Sequence, residues 1–249
     1  MNANQVAAVS ALAAFLTALA ALFTILEMRR QRVSQLRPEL VLEDSPFTLY
    51  RASTHGAQYV LALCDPSSPP VDSEDIYGRC SLKLSNVGRG VARSTSAKWS
   101  FDRMEFAARL APVAESIGGR VWIEGDLILF ESEGAVARWL VRTNQTLRFG
   151  AVEATENSKA RPIRIDSAYL LLLASFYSAA CDSKNMSLLS TLVAPPLTLT
   201  VSYRDVEGTE YTKQISVRAE LTVLASEGFG SKEGEWFEVG HGDFVTSDA

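Results

Sequence analysis

The chain has 249 residues, of which 47% are hydrophobic and 21% are charged, as in an ordinary protein of one or two globular domains. The net charge of −5 arises in residues 226–249, which contain one lysine and six acids, and the rest of the chain is neutral. This balance excludes the broad basic surface of a nucleic-acid-binding protein, so no nucleic-acid partner is predicted.

The N-terminal segment is predicted to be a membrane anchor in contact with the lipid bilayer. Residues 6–26 are an uncharged apolar run of 21 residues. As a helix rising ~1.5 Å per residue, this run is long enough to cross a hydrocarbon core of ~30 Å. A cleaved secretory signal is the alternative, but it needs a basic leading segment and a shorter apolar run.

The basic residues beside this run predict its orientation. No lysine or arginine precedes it, and four arginines follow it: Arg29, Arg30, Arg32 and Arg37. The positive-inside rule therefore places the N-terminus outside and the rest of the chain in the cytoplasm. The cysteines agree, because Cys64, Cys80 and Cys181 are scattered and odd in number, which is typical of a reducing compartment rather than of a disulfide framework.

Small residues recur on one face of the predicted membrane helix. Five alanines follow each other at spacings of four and three: Ala7, Ala11, Ala14, Ala18 and Ala21. Such a face lets helix backbones approach closely, which predicts a homo-oligomer formed through the membrane helix. An alanine-rich anchor without a partner explains the same pattern. Pro38 is predicted to end the helix.

Beyond Pro38 the pattern has the period of β-strands. Residues 57–64 predict a buried strand, residues 120–142 predict two or three strands broken at Gly125 and Gly134, and residues 197–223 predict a hairpin around the turn at 204–208. Several short strands separated by turns favour an antiparallel β-sandwich. Residues 167–181 are apolar all round, and we assign them to a helix packed on the sheet, although a buried strand also fits.

The segment "LSNVGRGVA", residues 84–92, could be either a phosphate-binding loop or a corner between strands. Gly88 and Gly90 match the first two glycines of a dinucleotide-binding loop, but Arg93 stands at the third position. The following residues alternate as in a strand, whereas a phosphate site needs a helix there. Asn86, Gly88 and Gly90 are therefore predicted to be turn residues that tolerate positive φ, and no nucleotide or other cofactor is predicted.

The same segment resembles the strand–corner–strand of bacterial Ig-like, CARDB-type sandwich modules, and "VSYRDVEGTEY", residues 201–211, resembles their late hairpin. The layout resembles bacterial proteins with one N-terminal membrane helix, an arginine-rich stub and such a domain. The resemblance implies no activity and supplies no catalytic residue. The apolar run, the arginines, the strand pattern and the charge of the C-terminal segment predict a location in the bacterial inner membrane and three parts: residues 1–37 as anchor and basic stub, 38–225 as a β-sandwich domain, and 226–249 as an acidic tail.

Candidate chemistry is sparse along the chain. His55 and His241 lack the neighbours of a metal or nucleophile site, and the acids of the loop at 72–75 lack the spacing of a calcium loop. Asp205, Glu207 and Glu210 cluster at the hairpin turn, where acids are usually solvated. No catalytic, metal or cofactor residue is predicted.

The acidic tail carries aromatic residues, among them Trp236, Phe237 and Phe244. They are predicted either to anchor an unknown protein partner or to pack on the chain's own domain. The leading functional hypothesis is a membrane-anchored cytoplasmic binding module, acting as a scaffold or sensor. The alternatives are a membrane-active effector that oligomerises through its helix, and an enzyme that uses carboxylates on the sheet.

Overall fold

The computed structural model describes residues 3–53, 59–70, 79–116, 118–125, 127–132, 135–140, 146–154, 160–182, 194–224 and 236–248. Within them the chain is mainly β with an apolar N-terminal helix, as predicted. The helices are α1 (Ala3–Gln35), α2 (Arg103–Ser116) and α3 (Ser167–Asp182). The strands are β1 (Leu40–Glu43), β2 (Ser45–Ser53), β3 (Tyr59–Cys64), β4 (Ser81–Asn86), β5 (Ala92–Ser100), β6 (Arg120–Glu124), β7 (Leu127–Ser132), β8 (Ala135–Leu140), β9 (Thr146–Arg148), β10 (Ala151–Val152), β11 (Arg161–Arg164), β12 (Leu197–Arg204), β13 (Glu210–Leu224) and β14 (Trp236–Asp248).

Helix α1 contains the predicted membrane segment. Within the described residues, Ser10–Arg32 is the one helical stretch that is long and apolar enough to cross a membrane, judged by length and composition. Its large apolar side chains are exposed, including Leu12 (60%), Phe15 (63%) and Phe23 (66%). The helix ends at Gln35, shortly before Pro38, because a proline disfavours the helical conformation of the residue that precedes it.

Two antiparallel sheets enclose the core. One contains three strands in the order β1-β4-β11, and the other contains eight, in the order β10-β5-β12-β13-β14-β2-β3 with β9 also paired to β5. Side chains from both sheets share one buried cluster, for example Leu84 and Ile163 from the small sheet and Leu199 and Val217 from the large one. The chain therefore folds as the predicted antiparallel sandwich.

Helix α3 supports the assignment of residues 167–181 as a packed helix rather than a buried strand. It contributes Tyr169, Phe176 and Tyr177 to the core, and the Tyr169 hydroxyl donates a hydrogen bond to the carbonyl oxygen of Pro195 at 2.8 Å. The Phe176 ring contacts Phe106 of helix α2 edge to face, with centroids 6.2 Å apart. Helix α3 thus packs on β3, the edge strand of the large sheet, and both helices contribute side chains to the core of the sandwich.

Helix α2 has no counterpart among the predicted elements. Pro112 inside the helix interrupts the sequence pattern, yet the segment begins with a capping signal, Asp102 followed three residues later by Glu105. The Glu105 backbone N–H donates to the Asp102 carboxylate at 3.0 Å. The helix packs on strands β6 and β7 of a separate three-stranded meander, β6-β7-β8, which occupies the region where two or three strands are predicted.

The predicted hairpin is strands β12 and β13. Leu197 pairs with Val217 and Tyr203 with Tyr211, and Gly208 adopts a positive φ of 88° in the turn between the strands. The alternation along β13 buries residues 215, 217 and 219. A register shift after Leu221 ends this alternation, and Val223 beyond it is 47% exposed.

The C-terminal segment is part of the sandwich, which corrects its prediction as a separate tail over its described residues, 236–248. Strand β14 lies between β13 and β2, so its backbone is paired on both sides. Phe244 is buried, with its ring centroid 4.8 Å from that of Phe47. The segment therefore packs on the chain's own domain, because its pairing and its apolar contacts are satisfied there. Residues 225–235 and 249 lie outside the described residues.

Candidate functional site

The corner between β4 and β5 is where helix α1 joins the sandwich. Strand β4 belongs to the small sheet and β5 to the large one, so the segment connects the two layers and no helix follows it. A side chain at Gly90 would overlap the backbone of Leu36, and one at Gly88 would overlap the backbone of Arg37 and Glu39. Both glycines thus let the stub, residues 36–39, pass directly over the corner.

This contact corrects the predicted reason for the glycines. Neither Gly88 nor Gly90 has a positive φ, so the turn does not require the conformational freedom of glycine at these positions. It requires the absence of a Cβ atom, because another segment of backbone occupies that space. The prediction that residues 86–90 form a structural turn is retained, with close approach as its cause.

The Asn86 side chain forms four hydrogen bonds: one to the stub, two within the corner and one to strand β10. Its side-chain oxygen accepts from the N–H groups of Glu39, at 3.0 Å, and Gly88, at 3.1 Å. Its side-chain nitrogen donates to the carbonyl oxygens of Gly90, at 2.6 Å, and Val152, at 3.1 Å. The side chain is 1% exposed, and both of its polar atoms are satisfied. Asn86 therefore ties the stub, the corner and strand β10 together.

A cavity of about 410 Å³ opens beside this junction. Its walls include Arg37 and Glu39 of the stub and Tyr203, Tyr211 and Lys213 of the β12–β13 hairpin. The hairpin residues continue the inward-facing row that buries Val201 and Ile215 farther along the strands. The cavity is thus the end of the sandwich interior, partly covered by the stub.

The aromatic side chains of the cavity are held in a fixed stack. The rings of Tyr203 and Tyr211 lie parallel, with centroids 5.4 Å apart, and the Arg37 guanidinium lies 4.9 Å from the Tyr211 ring centroid. The Tyr203 hydroxyl donates to the carbonyl oxygen of Pro38 at 3.4 Å, which adds a second contact between hairpin and stub. Burial raises the pKa of Tyr203, although the nearby Arg37 acts in the opposite direction.

Asp205 organises the hairpin turn rather than the cavity. Its carboxylate accepts hydrogen bonds from the N–H groups of Glu207 and Thr209, both at 2.9 Å, and from the Tyr211 hydroxyl at 3.1 Å. Desolvation acts to raise the pKa of Asp205, but these hydrogen bonds outweigh it and hold the pKa below its usual value. Glu210 forms an ion pair with Arg204. Two of the three hairpin acids therefore have structural partners.

The other predicted site residues are dispersed. Arg29, Arg30 and Arg32 are exposed on α1, as are Ala11, Ala14, Ala18 and Ala21, while the side chain of Ala7 lies outside the described residues. The hydroxyls of Thr17 and Thr24, on a neighbouring face, donate to Ala13 and Ala20 carbonyls of the same helix. Only Arg37 of the four arginines lines the cavity.

The aromatic residues predicted to bind a partner differ in what the structure shows of them. Phe244 is buried in the core and is not available to a partner. Trp236 and Phe237 lie in β14, but their side chains are outside the described residues, as are His55 and the acids of the loop at 72–75. His241 is exposed, with Nδ1 3.9 Å from the Glu238 carboxylate. Among the described residues, no group of three histidine, cysteine or acidic side chains could hold a metal ion.

Sequence reasoning missed the cavity, although one signal was present. The inward row of the hairpin changes from aliphatic residues to Tyr203, Tyr211 and Lys213 at one end, which marks an interior position that is open to solvent. The cavity offers a guanidinium, an ammonium, a carboxylate and aromatic faces, a set suited to binding a charged group. Comparisons with protein-family models, with curated proteins and with solved structures gave no match.

Proposed function

We propose that this protein is a membrane-anchored binding module, a scaffold or sensor whose sandwich lies at the cytoplasmic face of a bacterial inner membrane. The observation that carries the proposal is the junction. An exposed apolar helix leads through residues 36–39 into the sandwich, and that short link is built into the β4–β5 corner. The sandwich would therefore be held beside the bilayer in one orientation, rather than on a flexible tether.

The exposed surface of α1 supports its role as an anchor. Leucine and phenylalanine side chains project from it with no protein surface covering them in the described residues. A helix that is apolar all round needs either a protein core or a membrane. Transfer of each such side chain into lipid is favourable by roughly 0.3–0.6 kcal/mol on the insertion scale, so the sum over the segment favours insertion.

The arginines near the end of α1 and the buried cysteines support the cytoplasmic orientation. Arg29, Arg30 and Arg32 are exposed at the end of the span nearest the sandwich, where the positive-inside rule places basic residues of the cytoplasmic side. Cys64 and Cys80 are both buried, and Cys80 is a free thiol. Burial, with smaller contributions from Asp65 and Cys64, raises the pKa of Cys80 well above its usual value, so this thiol is a poor nucleophile.

The topology can be tested with reporters fused after residue 249. We expect green fluorescent protein to fluoresce there and alkaline phosphatase to stay inactive, because translocation of the arginines would oppose the membrane potential by ~2.3 kcal/mol per charge per 100 mV. As a control, a variant with glutamine at positions 29, 30 and 32 and three lysines inserted after Met1 should lose this pattern. Active phosphatase on the unaltered chain would overturn the cytoplasmic location.

A second candidate function, an oligomerising membrane-active effector, depends on the alanine face of α1. Ala14 and Ala18 are exposed on that face, which is the geometry that close packing of two helices needs. Replacing both by leucine is expected to weaken self-association in a bacterial membrane two-hybrid assay, because bulk at the seam separates the backbones. Leucine at Ala13 and Ala20, roughly 130° around the helix, is the matched control. Equal signals from all three proteins would exclude the alanine face as an interface.

A further inference from the structure

We propose that the cavity at the junction binds the phosphate of an anionic phospholipid headgroup, from the leaflet in which α1 ends. The inference rests on the proposed membrane anchorage and names a ligand for the site beside it. Three observations carry it: the distance of the cavity from the end of the membrane span, the charge of its walls and its two stacked tyrosines.

The cavity lies within reach of the headgroup layer. The candidate span ends at Arg32, and Arg37 in the cavity wall follows five residues later. The intervening chain is still helical as far as Gln35, and the Leu36 N–H donates to the Arg32 carbonyl at 3.0 Å. Five residues at ~1.5 Å each put the Arg37 backbone roughly 8 Å from the end of the span. Headgroup layers add roughly 5–7 Å on each side of the hydrocarbon core, so the cavity lies at the outer edge of this layer, where it can reach a headgroup phosphate.

Two cations line the cavity, and each retains donors for a phosphate. The Arg37 guanidinium lies over the face of Tyr211, with its central carbon 4.9 Å from the ring centroid, and a guanidinium in such a contact can still donate from the N–H groups at its edge. The Lys213 ammonium lies 2.9 Å from Asp248, which occupies one of its three donors. Because the Asp248 side chain is 78% exposed, this ion pair is weak and exchangeable. A phosphate in the cavity would contact two cations of different shape, the planar guanidinium of Arg37 and the compact ammonium of Lys213.

The remaining walls fit the rest of a headgroup. Glu39 is the one acid among the lining residues, against the two cations Arg37 and Lys213, and Asp248 outside the lining is paired with Lys213. The Glu39 carboxylate can accept a hydrogen bond from a headgroup hydroxyl. Tyr203 and Tyr211 provide an apolar wall with polar tips, the character that enriches tyrosine at membrane interfaces. A volume of about 410 Å³ lies within the usual range of small-molecule sites. A phosphoglycerol headgroup matches these walls, because its phosphate suits the two cations and its hydroxyl groups suit Glu39.

The test uses the full chain in a neutral detergent, titrated with fluorescent phosphatidylglycerol and, separately, with fluorescent phosphatidylcholine. We expect phosphatidylglycerol to bind about tenfold more tightly, and Arg37→Gln or Lys213→Gln to reduce that preference about threefold to tenfold, the range of one ordinary hydrogen bond in a site open to solvent. Arg37→Lys keeps the charge but loses the planar guanidinium, so it should retain more of the preference than Arg37→Gln. Arg204→Gln is the matched control, because Arg204 lies on the same hairpin but outside the cavity lining.

The outcomes separate this proposal from the anchor itself. Arg29, Arg30 and Arg32 attract anionic lipid in every variant, so only the difference between cavity variants and Arg204→Gln reports on the site. Equal affinities for the two lipids, or equal losses in the control, would overturn the proposal. Displacement of phosphatidylglycerol by micromolar inorganic phosphate would assign the site to free phosphate instead.

If the lipid preference is absent while the chain still resists carbonate extraction from membranes, the cavity proposal fails and the anchor stands. Variants are compared only where their thermal unfolding matches that of the original protein.

Discussion

Replacing Gly90 by alanine is expected to lower the melting temperature of the full chain by about 6–12 °C. The added Cβ would overlap the carbonyl group of Leu36, whose carbon atom would lie 2.7 Å away. Overpacking typically costs about 1–3 kcal/mol, and the upper end applies here because the obstacle is backbone rather than a flexible side chain. For 150–250 residues, each kcal/mol corresponds to about 2–4 °C. The measurement is thermal unfolding in mild detergent, followed by tryptophan fluorescence.

Gly150→Ala is the matched control, because no heavy atom lies within 4 Å of a Cβ placed there. This variant is expected to unfold at the temperature of the original protein or slightly above it, since alanine restricts the unfolded chain. The Gly90 variant should also lose the contacts made by the displaced stub, including the stacking of Arg37 on Tyr211. Equal melting temperatures for the two variants would show that the stub does not lie against the corner.

The elements predicted from the sequence are those with a strong local pattern. The hairpin of β12 and β13 could be predicted because its apolar residues alternate and its turn contains Gly208. Helix α1 could be predicted because its apolar run and the proline that follows it lie close together in the sequence. In both cases the information that determines the element lies within a few residues of it.

Strand β14 was not predicted because its inward positions do not look apolar. Residues 240, 242 and 244 are buried, but the first two are glycines. A side chain at Gly242 would approach the Phe47 ring at 2.8 Å and overlap the backbone of Glu220. The space that an aliphatic residue would fill on this strand is therefore occupied by Phe47 of β2. Because the apolar side chain at these positions comes from β2, the sequence of β14 itself does not show the alternation of apolar and polar residues that predicts a strand.

The junction between residues 36–39 and the β4–β5 corner could not be predicted either, because it also depends on residues that are distant in the sequence. Gly90 and Leu36 are 54 positions apart in the sequence, and nothing near either residue indicates the other. The sequence did predict a corner at residues 86–90, from the failure of the dinucleotide pattern and the strand that follows. Which segment crosses that corner depends on how the two sheets pack, and this also decides that Arg37 meets Tyr203 and Tyr211 in one cavity.

Replacing Asn86 by alanine is expected to destabilise the protein by about 3–5 kcal/mol. The substitution removes four hydrogen bonds and leaves the N–H groups of Glu39 and Gly88 and the carbonyls of Gly90 and Val152 without that partner. Each buried polar group left unsatisfied costs about 1–3 kcal/mol, and water entering the space relieves part of the sum. The loss should appear in the same thermal unfolding measurement, and a change below about 1 kcal/mol would contradict the role of Asn86 as the tie of the junction.

Asn86→Asp separates the hydrogen bonds from the shape of the side chain. The carboxylate keeps an acceptor for the two N–H groups but directs negative charge at the carbonyls of Gly90 and Val152, so its pKa in the folded protein is expected to be raised. The folded state then favours the protonated form. The stability of Asn86→Asp relative to Asn86→Ala is therefore greatest below the unfolded carboxyl pKa of ~3.9 and is lost as the pH rises through the raised folded value. Melting temperatures of the two variants between pH 4 and pH 8 measure this difference. If it does not change with pH, the carbonyls of Gly90 and Val152 do not face residue 86.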